Sequence, residues 1–223
     1  MTRKIQDLAP LLADNFLDFD TEKTLHENNQ KLVADNVSLF GLFHKYLGRL
    51  HDSWVLETSI TPEKFSITLN DFTTHVFADA IVEKKNLKID HDKLVFPVQI
   101  DFEISSLTYN SVDEFGNIKT IKPTTINEYL DEQIISMDNG KVEIGLVVWK
   151  SGSSKRRGRH ILILLSTIKN TVIEGQLNAW TSIFGHQFDK YYDYFKMKLE
   201  SGQYLSDQTI CQNLVDEFET QTD

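Results

Sequence analysis

The chain has 223 residues, 40% hydrophobic and 25% charged, with a formal charge of -10. This is globular composition with enough apolar residues to bury one good core or two small ones, and it excludes a disordered chain. No apolar run approaches the about 20 residues a bilayer crossing requires, and Asp7 and Asp14 interrupt the basic start in a way that argues against a secretory signal.

The first segment is interrupted by Pro10. Thr21 can then cap a long helix whose apolar residues Leu25, Leu32, Val33, Leu39, Phe40, Phe43 and Leu47 follow helical spacing, with Gly48 as its stop. From there the period changes to two. Trp54, Leu56 and Ile60 share one face, and after a Thr61-Pro62 turn Phe65, Ile67 and Leu69 do the same, which predicts a hairpin. Phe72, Val76, Phe77, Ala80 and Ile81 form a helical face within 71–85.

Between Leu94 and Ile104 the alternation is complete: Leu94, Phe96, Val98, Ile100, Phe102 and Ile104 point inward, while Gln99, Asp101 and Glu103 point outward. Pro97 lacks a ladder donor, so the strand is expected at an edge or bulged there. Further on, Asp138-Asn139-Gly140 separates two strand-like runs and predicts a tight hairpin. Val147, Trp149 and the run Ile161 to Leu165 are apolar on both faces, as expected of central strands under covering helices. Phe184, Phe188, Tyr191, Phe195 and Leu199 then trace a helix that Gly202 ends, and Ser206 can cap a last helix carrying Ile210, Leu214, Val215 and Phe218.

This order predicts an α+β fold, mainly an antiparallel sheet of about six strands covered by N-terminal and C-terminal helices. A single domain 1–223 is expected, with a helical segment over 1–50, a sheet with one inserted helix over 53–168, and helices over 180–219.

Charge is the most uneven property of the chain. Lys150, Lys155, Arg156, Arg157 and Arg159 fall between Lys150 and His160 without an acidic residue; outside that segment stand 18 basic and 33 acidic residues. A -15 body therefore carries a +5 loop between two core strands. Gly and Ser backbone donors and guanidinium forks suit an anion, and a local field attracts one even when the molecule repels it. The segment is not a P-loop: five residues separate Gly152 from Gly158 instead of four, and Arg159 follows in place of Lys. A solvated hairpin tip is the competing account of these charges. Only Trp149 could stack nearby, and the acidic body disfavours nucleic acid.

Other constellations are weaker. On the 71–85 helix His75 and Asp79 lie four apart, and Asp90, His91 and Asp92 follow, so His75, Asp79 and His91 could share a metal for assisted hydrolysis. Against that, His and acidic residues at this spacing are routine on exposed helices, and turn roles explain Asp90 and Asp92. His51-Asp52-Ser53 has the residue types of a triad, but adjacent residues rarely make a directed hydrogen-bonded chain, and a capping role fits better. The aromatic row from Trp180 to Phe195 fits core packing better than a ligand pocket.

No motif reaches a reaction class. The expectation is a non-enzymatic binding or accessory module that contacts an acidic protein or anion through Lys155, Arg156, Arg157 and Arg159, with no cofactor, nucleic-acid or membrane partner. The alternative is the metal-assisted hydrolase. The lone Cys211 has no partner for a disulfide, which predicts a cytoplasmic, reducing location.

Overall fold

A computed structural model describes residues 49–112, 118–138, 140–150, 159–201 and 207–222, together with residues 31, 35, 40, 43, 45, 46 and 205. The elements are β1 (Ser53–Ile60), β2 (Lys64–Asn70), α1 (Phe72–Lys84), β3 (Pro97–Val112), β4 (Ile118–Ile121), β5 (Glu128–Asp138), β6 (Lys141–Lys150), β7 (Arg159–Glu174), α2 (Gln176–Phe184), α3 (Asp189–Glu200) and α4 (Gln208–Thr222). The fold is α+β, dominated by antiparallel sheet, and of the four helices among the described residues three lie at the C-terminal end. The chain divides into two compact units, Met1–Thr68 with Ile100–Val172, and Leu69–Gln99 with Ile173–Asp223.

The first unit holds most of the sheet. Its strand order is β2-β1-β5-β6-β7-β3-β4, and a further β2–β3 pairing closes six of the seven strands into a ring. The strands have the alternation this requires. Ile144, Leu146 and Val148 of β6 sit opposite Leu165, Ile163 and Ile161 of β7, and all six are buried. Phe102 of β3 is fully buried: it stacks on Phe65 at 6.2 Å and meets Phe43 edge-on at 5.3 Å between ring centroids. Burying one such ring contributes roughly 2 to 3 kcal/mol. Phe40 and Phe43 of the expected N-terminal helical face are buried, as are Tyr46 and Leu50. The rest of the long helix expected there lies outside the described residues.

Residues on the second apolar face of β6 and β7 are buried as well. Val147 and Leu162 cluster with Val112 and Ile135 of neighbouring strands, and Ile118, Leu130 and Leu164 pack around them. Gly145 belongs to the same face. A Cβ there would lie 3.2 Å from Leu162 Cδ1, which explains the absence of a side chain in the middle of a core strand.

β3 has two edges, and β7 takes one of them. The other edge is shared. Ile104 N–H donates to Glu63 O, from where β2 runs back along the N-terminal half of β3, while β4 pairs with the C-terminal part through Tyr109↔Ile121 to Val112↔Ile118. Ser105–Thr108 therefore lie between the ends of two strands.

The second unit is built on α1. Asp71 caps it, its carboxylate accepting from Thr73 N at 3.2 Å, Thr74 N at 3.4 Å, Thr74 Oγ1 at 2.8 Å and Gln176 Nε2 at 3.3 Å. Such a cap satisfies backbone donors that have no partner within the helix. Asn70 fixes the return of the chain, donating to Leu94 O at 3.2 Å and accepting from Phe96 N at 2.6 Å. Pro97 is the first residue of β3, where its missing donor does least harm, and its carbonyl accepts from Gly175 N at 3.0 Å. A Cβ on Gly175 would come within 2.9 Å of Pro97 Cγ, so the close approach needs glycine.

The core of this unit is aromatic. Phe77 stacks on Trp180 at 5.9 Å and on Phe195 at 4.5 Å, with Phe96, Phe184 and Tyr192 around Trp180. The Phe184-to-Leu199 row is not one helix, however. Gly185 at φ +78 ends α2, a 3-10 turn carries His186–Phe188, and α3 begins at Asp189. Positive φ is open to glycine at little steric cost, and that one residue breaks the continuity of the pattern. Asp207 caps α4 through Ile210 N at 3.1 Å; the expected caps Gly202 and Ser206 lie outside the described residues.

Candidate functional site

Asp138↔Lys141 closes the β5–β6 hairpin that Asn-Gly predicted, with Gly140 at φ +75, and from there β6 runs into β7. Register across β6 and β7 places Trp149 opposite His160 and Lys150 opposite Arg159. The basic segment therefore joins the ends of two adjacent antiparallel strands, as expected of a hairpin connection. Lys155, Arg156 and Arg157 lie outside the described residues, and of Arg159 the backbone pairing alone is described. Lys150 is half-buried, and its ammonium donates to Thr124 Oγ1 at 2.8 Å, which fixes the base of the segment against the β4–β5 connection.

The three residues considered for a metal are partly brought together. His91 Nδ1 pairs with Asp79 Oδ1, the imidazole side chain 60% exposed and the carboxylate side chain 19%. His75 bonds elsewhere, its Nδ1 lying 2.9 Å from Leu94 O. Asp90 caps the short 3-10 turn 91–93 by accepting from Asp92 N at 3.2 Å, the turn role its sequence position suggested. Among the described residues no three His, Cys, Asp or Glu side chains are placed to hold a metal ion together.

His51, Asp52 and Ser53 form a junction. His51 Nδ1 lies 3.0 Å from Asp52 Oδ2 with both side chains well exposed, Asp52 adopts φ 62, and buried Ser53 opens β1 with its N–H on Leu50 O. Of the aromatic row, Trp180, Phe184, Tyr192 and Phe195 are buried in the core and Phe188, Tyr191 and Tyr194 pack against it half-buried, while Trp180 Nε1 donates to Phe188 O at 3.1 Å. Cys211 is buried with its thiol 3.1 Å from Leu205 O, and burial pushes its pKa up to about 12, so the thiolate needed for reaction is scarce at neutral pH.

Two features escaped the sequence reading. Glu132 is buried on the inner face of β5, in register with Leu146, and accepts from Tyr129 Oη at 2.6 Å. The tyrosine hydroxyl gives this buried carboxylate one of the hydrogen bonds it requires. The second is a cleft of about 390 Å³ at the gap on the β3 edge. The Ile60-Thr61-Pro62 turn forms one wall, Thr120, Ile121 and Pro123 the other, and Ile104 and Leu107 to Tyr109 the floor. Burial in that floor raises the pKa of the Tyr109 phenol.

No family model, no curated protein and no solved structure matches this chain. No helix among the described residues is long and apolar enough to cross a membrane.

Proposed function

We propose that this protein is a non-enzymatic binding module whose β6–β7 connection presents cations to an acidic protein partner. The observation that carries this reading is the charge contrast between the 150–160 segment and the remaining chain. Two antiparallel strands in register up to Lys150↔Arg159 support it, because a rigid base limits the conformational cost of holding several cations together. Guanidinium forks match carboxylates in a way that dispersed surface lysines do not. The single buried thiol accords with work in a reducing, cytoplasmic setting.

A metal-assisted hydrolase has less support, since Asp79 and His91 pair with each other while His75 is engaged at the Leu94 carbonyl. The test is binding of a fluorescein-labelled polyglutamate peptide, followed by anisotropy. Replacing Lys155, Arg156, Arg157 and Arg159 together with Ser should weaken binding at least about tenfold and flatten its salt dependence. Equal binding by the native and substituted proteins removes the segment from the account.

A further inference from the structure

We infer that the cleft on the β3 edge is a peptide-docking site, and that its occupant is an extended acidic segment of a partner protein with apolar side chains at alternate positions. The inference rests on the reading above and specifies the partner. Three observations converge on it. Ser105–Thr108 of β3 lie between the ends of β2 and β4, and Leu107 and Thr108 of that stretch line the cleft where two neighbouring strands stop. An extended segment is the element that matches a strand edge, with backbone hydrogen bonds for affinity and alternate side chains for the pockets. Its apolar anchors would meet Ile104, Leu107 and Ile121, and the hydroxyls of Thr61, Thr108 and Thr120 also line the cleft.

Charge selects the sign of the occupant. Flanking the lining residues in sequence are Lys119 and Lys122 on the β4 side, Glu63 after Pro62, and Glu103 before Ile104, which Lys169 neutralises at 3.3 Å, so the margin is positive on balance. Lys119 and Lys122 are exposed, and among the described residues neither is held in an ion pair. One residue beyond the Pro123 wall, Thr124 receives the Lys150 ammonium, so the cationic margin of the cleft continues to the base of the basic segment. Rim charges of this kind fix orientation and raise association rates.

Openness separates a peptide from an anionic amphiphile such as a fatty acid. A small ligand is ordinarily buried over most of its surface. Here Ile60, Thr61, Pro62, Thr108, Thr120 and Pro123 are all exposed, while Phe65, Phe102 and Tyr129 are buried within the same unit. A trough with exposed residues on both walls suits side chains that arrive on a strand.

The experiment uses the full chain and three probes: a fluorescein-labelled peptide alternating glutamate with leucine, the polyglutamate peptide, and dodecanoate as competitor. The alternating peptide should bind at least about tenfold more tightly than polyglutamate. Thr108→Glu, which sets a carboxylate at an exposed lining position, and Lys119→Glu with Lys122→Glu should each weaken it several-fold, with far-UV circular dichroism unchanged. Leu107→Asp is a third variant, and dodecanoate should not displace the peptide. If polyglutamate binds equally well and responds to the 155–159 substitutions alone, the cleft is overturned and the module reading stands. If the alternating peptide responds to cleft substitutions and not to those in the segment, the cleft stands and the segment falls. Failure of both peptides to bind, or displacement by dodecanoate, overturns the docking site.

Discussion

Asp71 joins two helices of the second unit through one side chain. It is buried, caps α1, and receives Thr74 Oγ1 and the Gln176 amide. Asp71→Ala removes the cap, worth about 1 kcal/mol, and leaves buried donors facing an apolar methyl at about 1 to 3 kcal/mol more. A loss of about 3 kcal/mol in urea unfolding is expected, with Asp71→Asn milder because its amide oxygen still accepts. Cys211 allows a second test at this scale. Its thiol is buried, bonded to Leu205 O and held near pKa 12, so native protein at pH 8 should resist iodoacetamide, and labelling should follow the urea transition. Fast labelling without denaturant would show that the start of α4 opens by itself.

At the scale of elements, α4 is joined to its neighbours by charge as well as by apolar contact. Lys84 pairs with Asp216 at 2.6 Å, Lys85 with Glu219, and Lys198 with Glu217 at 2.8 Å. Tyr191 Oη donates to Glu219 at 3.0 Å. The Lys198 ammonium holds Glu217 below the usual carboxylate range and Lys85 does the same for Glu219, while the three lysines are raised by the same partners. Depressed carboxylates contribute stability above their unfolded pKa of about 4.3 and lose it as pH falls through the lower folded values. Raised ammonium groups contribute below about 10.4 and lose it as pH rises through the higher folded values. Anchoring of α4 should thus be level from about pH 5 to 10 and weaken on either side, which amide exchange in α4 would report. Within β6, Gly145→Val should cost about 1 to 3 kcal/mol, because the added methyls meet Leu162 and Ile135 in a filled cluster.

Legibility also varies by element. Leu94 to Ile104 was readable because alternation is local, and its six inward residues are all buried. The Asn-Gly turn and the α1 face were readable for the same reason. β4 was not, since Ile-Lys-Thr-Ile is too short to display a period. Closure of the ring depends on β2 meeting β3 across α1, which no window of sequence contains. The candidate site shows the same division: contiguous cations announce themselves, whereas Ile60, Leu107 and Ile121 become neighbours only through the register of β3.

At the scale of the whole molecule, the formal charge of -10 and the cations of the 150–160 segment act over different distances, and salt separates them. At an ionic strength of about 0.01 M the screening length is about 30 Å, so an approaching acidic peptide senses the net negative chain and is repelled. Near 0.15 M the length falls to about 8 Å, and the distant carboxylates fade while cations within a few ångströms of the peptide still act. Toward 1 M, at about 3 Å, the local attraction fades too. Polyglutamate affinity should therefore rise from low to intermediate salt and fall again at high salt, unlike the steady decline of a uniformly basic binder. With Lys155, Arg156, Arg157 and Arg159 replaced by Ser, the intermediate maximum should vanish. Titrations across that range would decide it: a steady decline in the native protein would mean that the acidic body does not oppose the encounter, and a maximum that survives the substitutions would place the attracting cations elsewhere.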